Sequence, residues 1–103
     1  GLRYELRDLM VVHPTRAPED SPLIAALSRQ ILAVTGRPAT LMASPGTYDQ
    51  KHVARIAGVP HCVAYGPGIL ELAHQPDEYV TIEDLTSSTR VLALTLLDLA
   101  GLA

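Results

Sequence analysis

Two short apolar runs, each closed by a glycine-containing turn, constrain the fold of this chain most strongly. The run 39–43 ends at Ser44-Pro-Gly46, and the run 61–65 ends at Gly66-Pro-Gly68. Short apolar runs bounded by turn residues are typical of buried β-strands. Helical patterns lie between and around the runs, and strands that alternate with helices favour a parallel βαβ unit with a right-handed crossover. The chain is therefore predicted to contain an α/β core.

The first two predicted helices are marked by their boundary residues. The first begins at Ser21-Pro22, where the serine hydroxyl can cap the helix and proline suits the first helical position, and it ends before Gly36. The second begins at a cap supplied by Thr47 or Asp49 and ends at Gly58. Its predicted inward face consists of Val53, Ile56 and Ala57.

The third predicted helix is the longest. It opens at Thr81-Ile-Glu-Asp84, which resembles a capping box with aspartate in the glutamate position. Leucines recur at helical spacing after it, so we expect one apolar stripe to face the core. The predicted stripe consists of Leu85, Leu92, Leu96 and Leu99, widened by Val91 and Leu94.

The N-terminal part has a different pattern. Residues 2–8 alternate between apolar and charged side chains, which predicts a half-buried strand that continues to Val12. Residues 13–20 contain two prolines and no periodicity, so they predict a linker or domain boundary. We predict three parts: the strand 1–12, the linker 13–20 and the α/β part 21–103.

Composition excludes several classes of protein. Hydrophobic residues make up 48% of the chain, which favours a packed globule. The formal charge of −3 without a basic cluster argues against nucleic-acid binding. No apolar run approaches the length of a membrane span, and the single cysteine, Cys62, fits a reducing compartment. We therefore expect a cytoplasmic protein with no membrane segment and no nucleic-acid partner.

His74 is the best candidate for a residue that carries chemistry. Neutral imidazole is a common metal ligand, and Asp77 and Glu78 follow closely. The spacing alone favours a loop histidine with two carboxylates that start the next helix. A zinc site needs three or four ligands, and local sequence does not supply them.

The two glycine turns are the second candidate feature. Backbone N–H groups around Gly46-Thr47 and around Gly66 and Gly68 can bind an anion at the start of a helix. Ordinary turn chemistry explains the same glycines, and helix capping is the favoured role of Thr47 over ligand binding.

The three motifs together resemble a known family. Ser-Pro-Gly-Thr-Tyr-Asp49, Tyr-Gly-Pro-Gly68 and Ala-His-Gln-Pro-Asp-Glu-Tyr79, at these separations, are similar to the C-terminal end of the acetylornithine deacetylase / succinyl-diaminopimelate desuccinylase family of co-catalytic zinc amidohydrolases. The resemblance covers roughly residues 20–99. The run from Gly66 to Glu78 is its most specific part.

The resemblance implies a fold, an activity and a set of site residues. His74 corresponds to a ligand of one of two zinc ions, with cobalt as a possible substitute, and Gly46, Thr47, Gly66 and Gly68 lie on the substrate side. The substrate is an N-acyl amino acid, and a glutamate outside these residues activates a metal-bridging water. The fold is a small three-layer αβα segment with a parallel βαβ core and a long C-terminal helix. Residues 1–12 become the last strand of a lid or dimerisation domain, in a protein that forms homo-oligomers.

This sequence departs from the family pattern in ways that leave alternatives open. The His-x-Asp motif, the bridging aspartate and the glutamate base are absent, so no catalytic residue is assigned and the chain alone is expected to be inactive. Pro45 and Lys51-His52 replace residues common in the family's turn, which leaves the acyl and amine specificity open. A stand-alone interaction module that pairs through the strand 2–8, and a metal-free dimerisation domain, are the alternative hypotheses.

Overall fold

The computed structural model describes residues 1–102, and within them it contains three α-helices and one short 3₁₀ helix. Helix α1 spans Pro22–Thr35, α2 spans Gln50–Arg55 and α3 spans Ile82–Leu99. The 3₁₀ helix spans Leu70–Leu72, just before the candidate histidine, and it was not predicted. None of the helices in this part of the chain is long and apolar enough to cross a membrane.

Helix α1 has the predicted boundaries but not the predicted cap. Pro22 occupies its first turn, and Gly36 ends it in a left-handed conformation (φ 69°) with its N–H bonded to the Leu32 carbonyl at 2.9 Å. The prediction that the Ser21 hydroxyl caps the helix is wrong. Its Oγ instead lies 3.1 Å from Nδ1 of His61, because a partner from a distant segment competes with the helix's own N–H groups.

Helix α3 begins as predicted but buries a different stripe. The Asp84 N–H donates to Thr81 Oγ1 at 3.0 Å, which is the first half of the predicted capping box. The buried residues of α3 are Ser88, Val91 and Thr95, and those of α1 are Ala26 and Leu27. Of the predicted stripe, Val91 is buried and Leu94 half-buried, whereas Leu85, Leu92, Leu96 and Leu99 are exposed by 45–69%. The contact between α1 and α3, rather than the leucine pattern, therefore selects the buried face.

Helix α2 is shorter than predicted. It ends at Arg55 rather than near Gly58, and neither Thr47 nor Asp49 caps it through its side chain. Val53 and Ile56, from the predicted inward face, are exposed by 37% and 81%. A helix of six residues has little stability of its own, because it forms few internal hydrogen bonds.

A polar cluster joins the middle of α1 to the C-terminal end of α3. The Arg29 guanidinium pairs with the Asp98 carboxylate at 2.9 Å, and the Gln30 amide donates to the same carboxylate at 3.0 Å. The hydrogen bond from Gln30, and next the bond from Arg29, hold the pKa of Asp98 below its ordinary value. The cluster therefore fixes the relative position of the two helices beside their apolar contact.

The predicted strands have no strand partners in the described residues. Residues 1–102 contain no assigned β-strand, and no backbone hydrogen bond joins residues 2–12 to another segment described by the structure. A β-strand is defined by its hydrogen bonds to a neighbouring strand, so an apolar pattern alone does not make one. The three-layer αβα architecture and the division into parts 1–12, 13–20 and 21–103 therefore stay predictions.

Candidate functional site

His74 lies in a tight turn that follows the 3₁₀ helix. The N–H groups of Ala73 and Gln75 donate to the carbonyls of Leu70 and Leu72 at 3.1 and 3.0 Å, which continues the tight winding. His74 itself has φ 63°, in the left-handed region, and its N–H donates to Oε2 of Glu78 at 3.0 Å. The turn thus presents an exposed histidine whose backbone is anchored by a carboxylate.

A second left-handed residue follows in the same turn. Asp77 has φ 62°, and it lies three positions after His74. A non-glycine residue in this conformation costs on the order of 1–3 kcal/mol, although His and Asp adopt it more readily than most residues. Such outliers cluster at functional sites, and the functional role of this turn stays a prediction.

The turn around Gly46 is closed by Ser44 and Tyr48. The Ser44 hydroxyl donates to the Tyr48 hydroxyl at 2.9 Å, and the Gly46 N–H donates to the Ser44 oxygen at 3.2 Å. A Cβ at Gly46 would lie 3.2 Å from the Tyr48 hydroxyl oxygen, so the aromatic ring is packed over the glycine. Thr47 is exposed beside this closed turn, and its predicted role as a helix cap is not observed.

The second glycine turn is open. Gly68 has φ 100°, a conformation that other residues rarely adopt, so glycine is required there. A Cβ at Gly66 would meet no other atom within 4 Å. No hydrogen bond or ion pair of the described residues joins His74 to either glycine turn, so the structure does not bring the predicted site residues together through direct contacts.

The acidic neighbours of His74 do not complete a metal centre. Across residues 1–102 there is no group of three or more His, Cys, Asp or Glu side chains placed to hold one metal ion. The Glu78 carboxylate is occupied by the His74 N–H, which gives it a structural role. Three or four ligands are needed for zinc, so the described residues fit one ligand position and not a complete site.

Two sets of contacts near the site were not predicted from the sequence. Glu78 anchors His74, and its position four residues further along the chain is a signal that was available. Gln50 accepts a hydrogen bond from Thr15 and donates one to the Cys62 carbonyl, over separations of 35 and 12 residues. No local pattern could have indicated those two contacts, since they exist only once the chain has folded.

The chain belongs to the peptidase family M20/M25/M40, whose family model matches residues 3–98. Members of this family are generally metal-dependent hydrolases. The chain is 33% identical over 98 residues to a putative dipeptidase, YtjP, of Bacillus subtilis, in a match that covers 94% of this chain and 20% of the relative. It is 36% identical over 86 residues to a LysW-lysine hydrolase of Deinococcus radiodurans, covering 84% of this chain and 23% of the relative.

The chain thus spans about a fifth of the length of these curated relatives. No solved structure gives a significant match. The family match includes the His74 turn and both glycine turns, which are the segments on which the resemblance was based.

Proposed function

We propose that this chain contributes the C-terminal part of the catalytic domain of a metal-dependent hydrolase that removes an N-acyl group from an amino acid. The observation that carries the proposal is the family match over residues 3–98, within which His74 has a strained, anchored backbone. The two relatives are named as a dipeptidase and as a LysW-lysine hydrolase, which are both hydrolases. The acetylornithine deacetylase / succinyl-diaminopimelate desuccinylase branch is the narrower assignment that the motifs favour.

In this proposal His74 is a single ligand of a zinc centre that holds two ions, with cobalt as a possible substitute. The turn leaves the His74 side chain exposed while Glu78 anchors the backbone. Asp77 and Glu78 make the surroundings of the ring negative, which favours a cation. The remaining ligands and the glutamate base have to come from residues outside those described, so the isolated chain is proposed to be inactive.

Gly46, Thr47, Gly66 and Gly68 are proposed to lie on the substrate side. The exposed backbone at both turns and the left-handed φ of Gly68 support this role, since glycine lets a ligand approach the main chain closely. The narrower proposals also include a cytoplasmic location, a homo-oligomer, and residues 1–12 as the last strand of a lid or dimerisation domain.

Zinc titration followed by NMR of the histidine rings tests the metal role without an activity measurement. His52 is the matched control, because it is also exposed but lies between Lys51 and Arg55, which repel a cation. We expect the His74 ring to shift at lower zinc concentration than the His52 ring. Equal responses of the two rings would contradict the assignment of His74.

The proposed inactivity of the chain has a separate test. The 103-residue chain is incubated with N-acetylornithine and zinc or cobalt, and release of ornithine is measured. We expect no turnover above the metal-only blank, because one imidazole does not build a zinc centre with an open position. Robust turnover would show that the described residues hold a complete active site.

A further inference from the structure

We infer that Gln50 is a positioning residue that fastens the linker 13–20 to both segments that carry the glycine turns. Thr15 Oγ1 donates to Gln50 Oε1 at 2.7 Å, and Gln50 Nε2 donates to the Cys62 carbonyl at 3.0 Å. The amide of Gln50 therefore uses its acceptor toward the linker and its donor toward the run 61–65. One side chain joins three segments that are distant in sequence.

The location of Gln50 makes this bridge relevant to the candidate site. Gln50 is the first residue of α2 and follows Thr47 by three positions. Cys62, whose carbonyl it binds, precedes Gly66 by four positions. A shift of the linker is thus transmitted to the bases of both glycine turns through a single amide.

Two other observations place the linker region against α2. The Arg55 guanidinium donates to the Pro14 carbonyl at 3.4 Å, at the opposite end of the helix from Gln50. A groove of about 280 Å³ lies between residues 10–12 and the side of α2 that carries Lys51, His52 and Arg55. The linker thus contacts both ends of α2. The two hydrogen bonds of the Gln50 amide are half-buried, so they are partly protected from water.

The claim that the two glycine turns face the substrate rests on the proposed function. The bridge through Gln50 rests only on its hydrogen bonds to Thr15 and Cys62. The test therefore uses readouts that need neither metal nor turnover. The half-buried Cys62 is the only cysteine of the chain, so the rate of its alkylation reports local opening at the run 61–65. Trypsin cleavage after Arg16 reports opening of the linker, and cleavage after the exposed Arg7 serves as an internal reference.

Thr15→Val is the decisive variant, because Thr15 has a hydrogen bond to Gln50 and none to Cys62. We expect it to speed alkylation of Cys62 by about fivefold, the factor that corresponds to one typical hydrogen bond.

Gln50→Glu keeps the acceptor for Thr15 but places a carboxylate oxygen against the Cys62 carbonyl. We expect it to speed both alkylation of Cys62 and cleavage after Arg16.

The control variants distinguish an effect that passes through Gln50 to Cys62 from a general loss of stability of the chain. Thr40→Val makes the same change at an exposed threonine, and it should leave both rates unchanged. The double variant Thr15→Val with Gln50→Glu should be less than additive, because both changes break one bridge. If Thr15→Val leaves the alkylation rate of Cys62 at its original value, with helical circular dichroism intact, the inference is overturned.

Discussion

The backbone of His74 combines strain with a specific anchor. Its φ of 63° lies in the left-handed region, and the hydrogen bond from its N–H to Glu78 holds it there. A carboxylate that accepts from a backbone N–H makes a stronger hydrogen bond than a neutral acceptor. The turn is therefore built to hold one conformation of residue 74 rather than to move freely.

Two substitutions of His74 measure the cost of its left-handed backbone conformation, because both remove the imidazole. We expect His74→Ala to lower the free energy of unfolding by about 1 kcal/mol more than His74→Gly, because only glycine adopts this φ without steric cost. The comparison is made by urea denaturation of the two variants. The same pair of substitutions at Asp77, where φ is 62°, should give the same order of stabilities. An alanine variant as stable as the glycine variant would mean that the left-handed conformation is not retained in solution.

At the scale of the elements, the α1–α3 contact contains a polar defect. Ser88 is 4% exposed, and its hydroxyl has no hydrogen-bond partner in the part of the chain that the structure describes. A buried hydroxyl without a partner costs about 1–3 kcal/mol. The other buried hydroxyl of α3 has a partner, since the Thr95 hydroxyl donates a hydrogen bond to the Val91 carbonyl at 2.7 Å.

Replacement of Ser88 by alanine is therefore expected to stabilise the chain. Ser88→Ala should raise the free energy of unfolding by about 1 kcal/mol through loss of the uncompensated hydroxyl. Ser87→Ala is the matched control, because it makes the same change in the same helix at a half-buried position and gains only helix propensity. Denaturation midpoints that rise equally for both variants would show that burial of the Ser88 hydroxyl carries no cost.

The Arg29–Gln30–Asp98 cluster makes a prediction about acid stability. The pKa of Asp98 is lowered in the folded state, so the unfolded chain takes up the proton first as the pH falls. The stabilisation is therefore complete above the ordinary pKa of 3.8 and is lost as the pH falls through the lower folded-state pKa. We expect Asp98→Asn to flatten the fall in stability between about pH 5 and about pH 2.

The acid prediction is measured as urea midpoints against pH at low salt, because Arg29 is largely exposed and its charge is screened. Asp8→Asn is the control, since Asp8 is exposed and has no hydrogen bond or ion pair within residues 1–102. A curve for Asp98→Asn that keeps the original slope would exclude this carboxylate as the source of acid sensitivity.

At the scale of the whole molecule, the chain is extended and its core is small. The radius of gyration is 17.7 Å, whereas a compact chain of this length has about 13 Å. Only Ala26, Leu27 and Val91 form the buried hydrophobic core among the described residues. Large apolar side chains lie exposed on α3 and along residues 2–12, far more than the scattered ones of an ordinary monomer.

A matched pair of substitutions in α3 measures whether the buried and the exposed face of this helix contribute differently to stability. Val91 is fully buried and Leu96 is 69% exposed on the same helix. We expect Val91→Ala to lower the free energy of unfolding by about 1–2 kcal/mol, and Leu96→Ala by less than about 0.5 kcal/mol. Leu96→Ala should instead reduce binding of a hydrophobic dye, because it removes exposed apolar surface. A larger loss of stability for Leu96→Ala would mean that another part of the protein covers this leucine in solution.

Some helix boundaries were predictable because their signals are local. Pro22, Gly36 and Thr81 act on groups within four residues of themselves, so the boundaries of α1 and the start of α3 follow from the printed sequence. His74 was singled out from its motif, and its role as a metal ligand stays a prediction. The resemblance to a hydrolase family was drawn from the same motif and the two glycine turns, whereas membership of the family rests on the match over residues 3–98.

Which helix faces are buried, and which distant polar groups form hydrogen bonds, became clear only from the folded structure. The leucines at 85, 92, 96 and 99 and the residues Ser88, Val91 and Thr95 both recur at helical spacing, and the contact with α1 buries the second set. Ser21 binds His61 rather than capping α1, and Gln50 joins Thr15 to Cys62, since those partners come near only after folding. Local signals in the sequence were enough to place the ends of α1 and the start of α3, but not the end of α2 or the 3₁₀ helix. Which faces are buried, and which distant polar groups meet, depended on contacts between segments that no local pattern encodes.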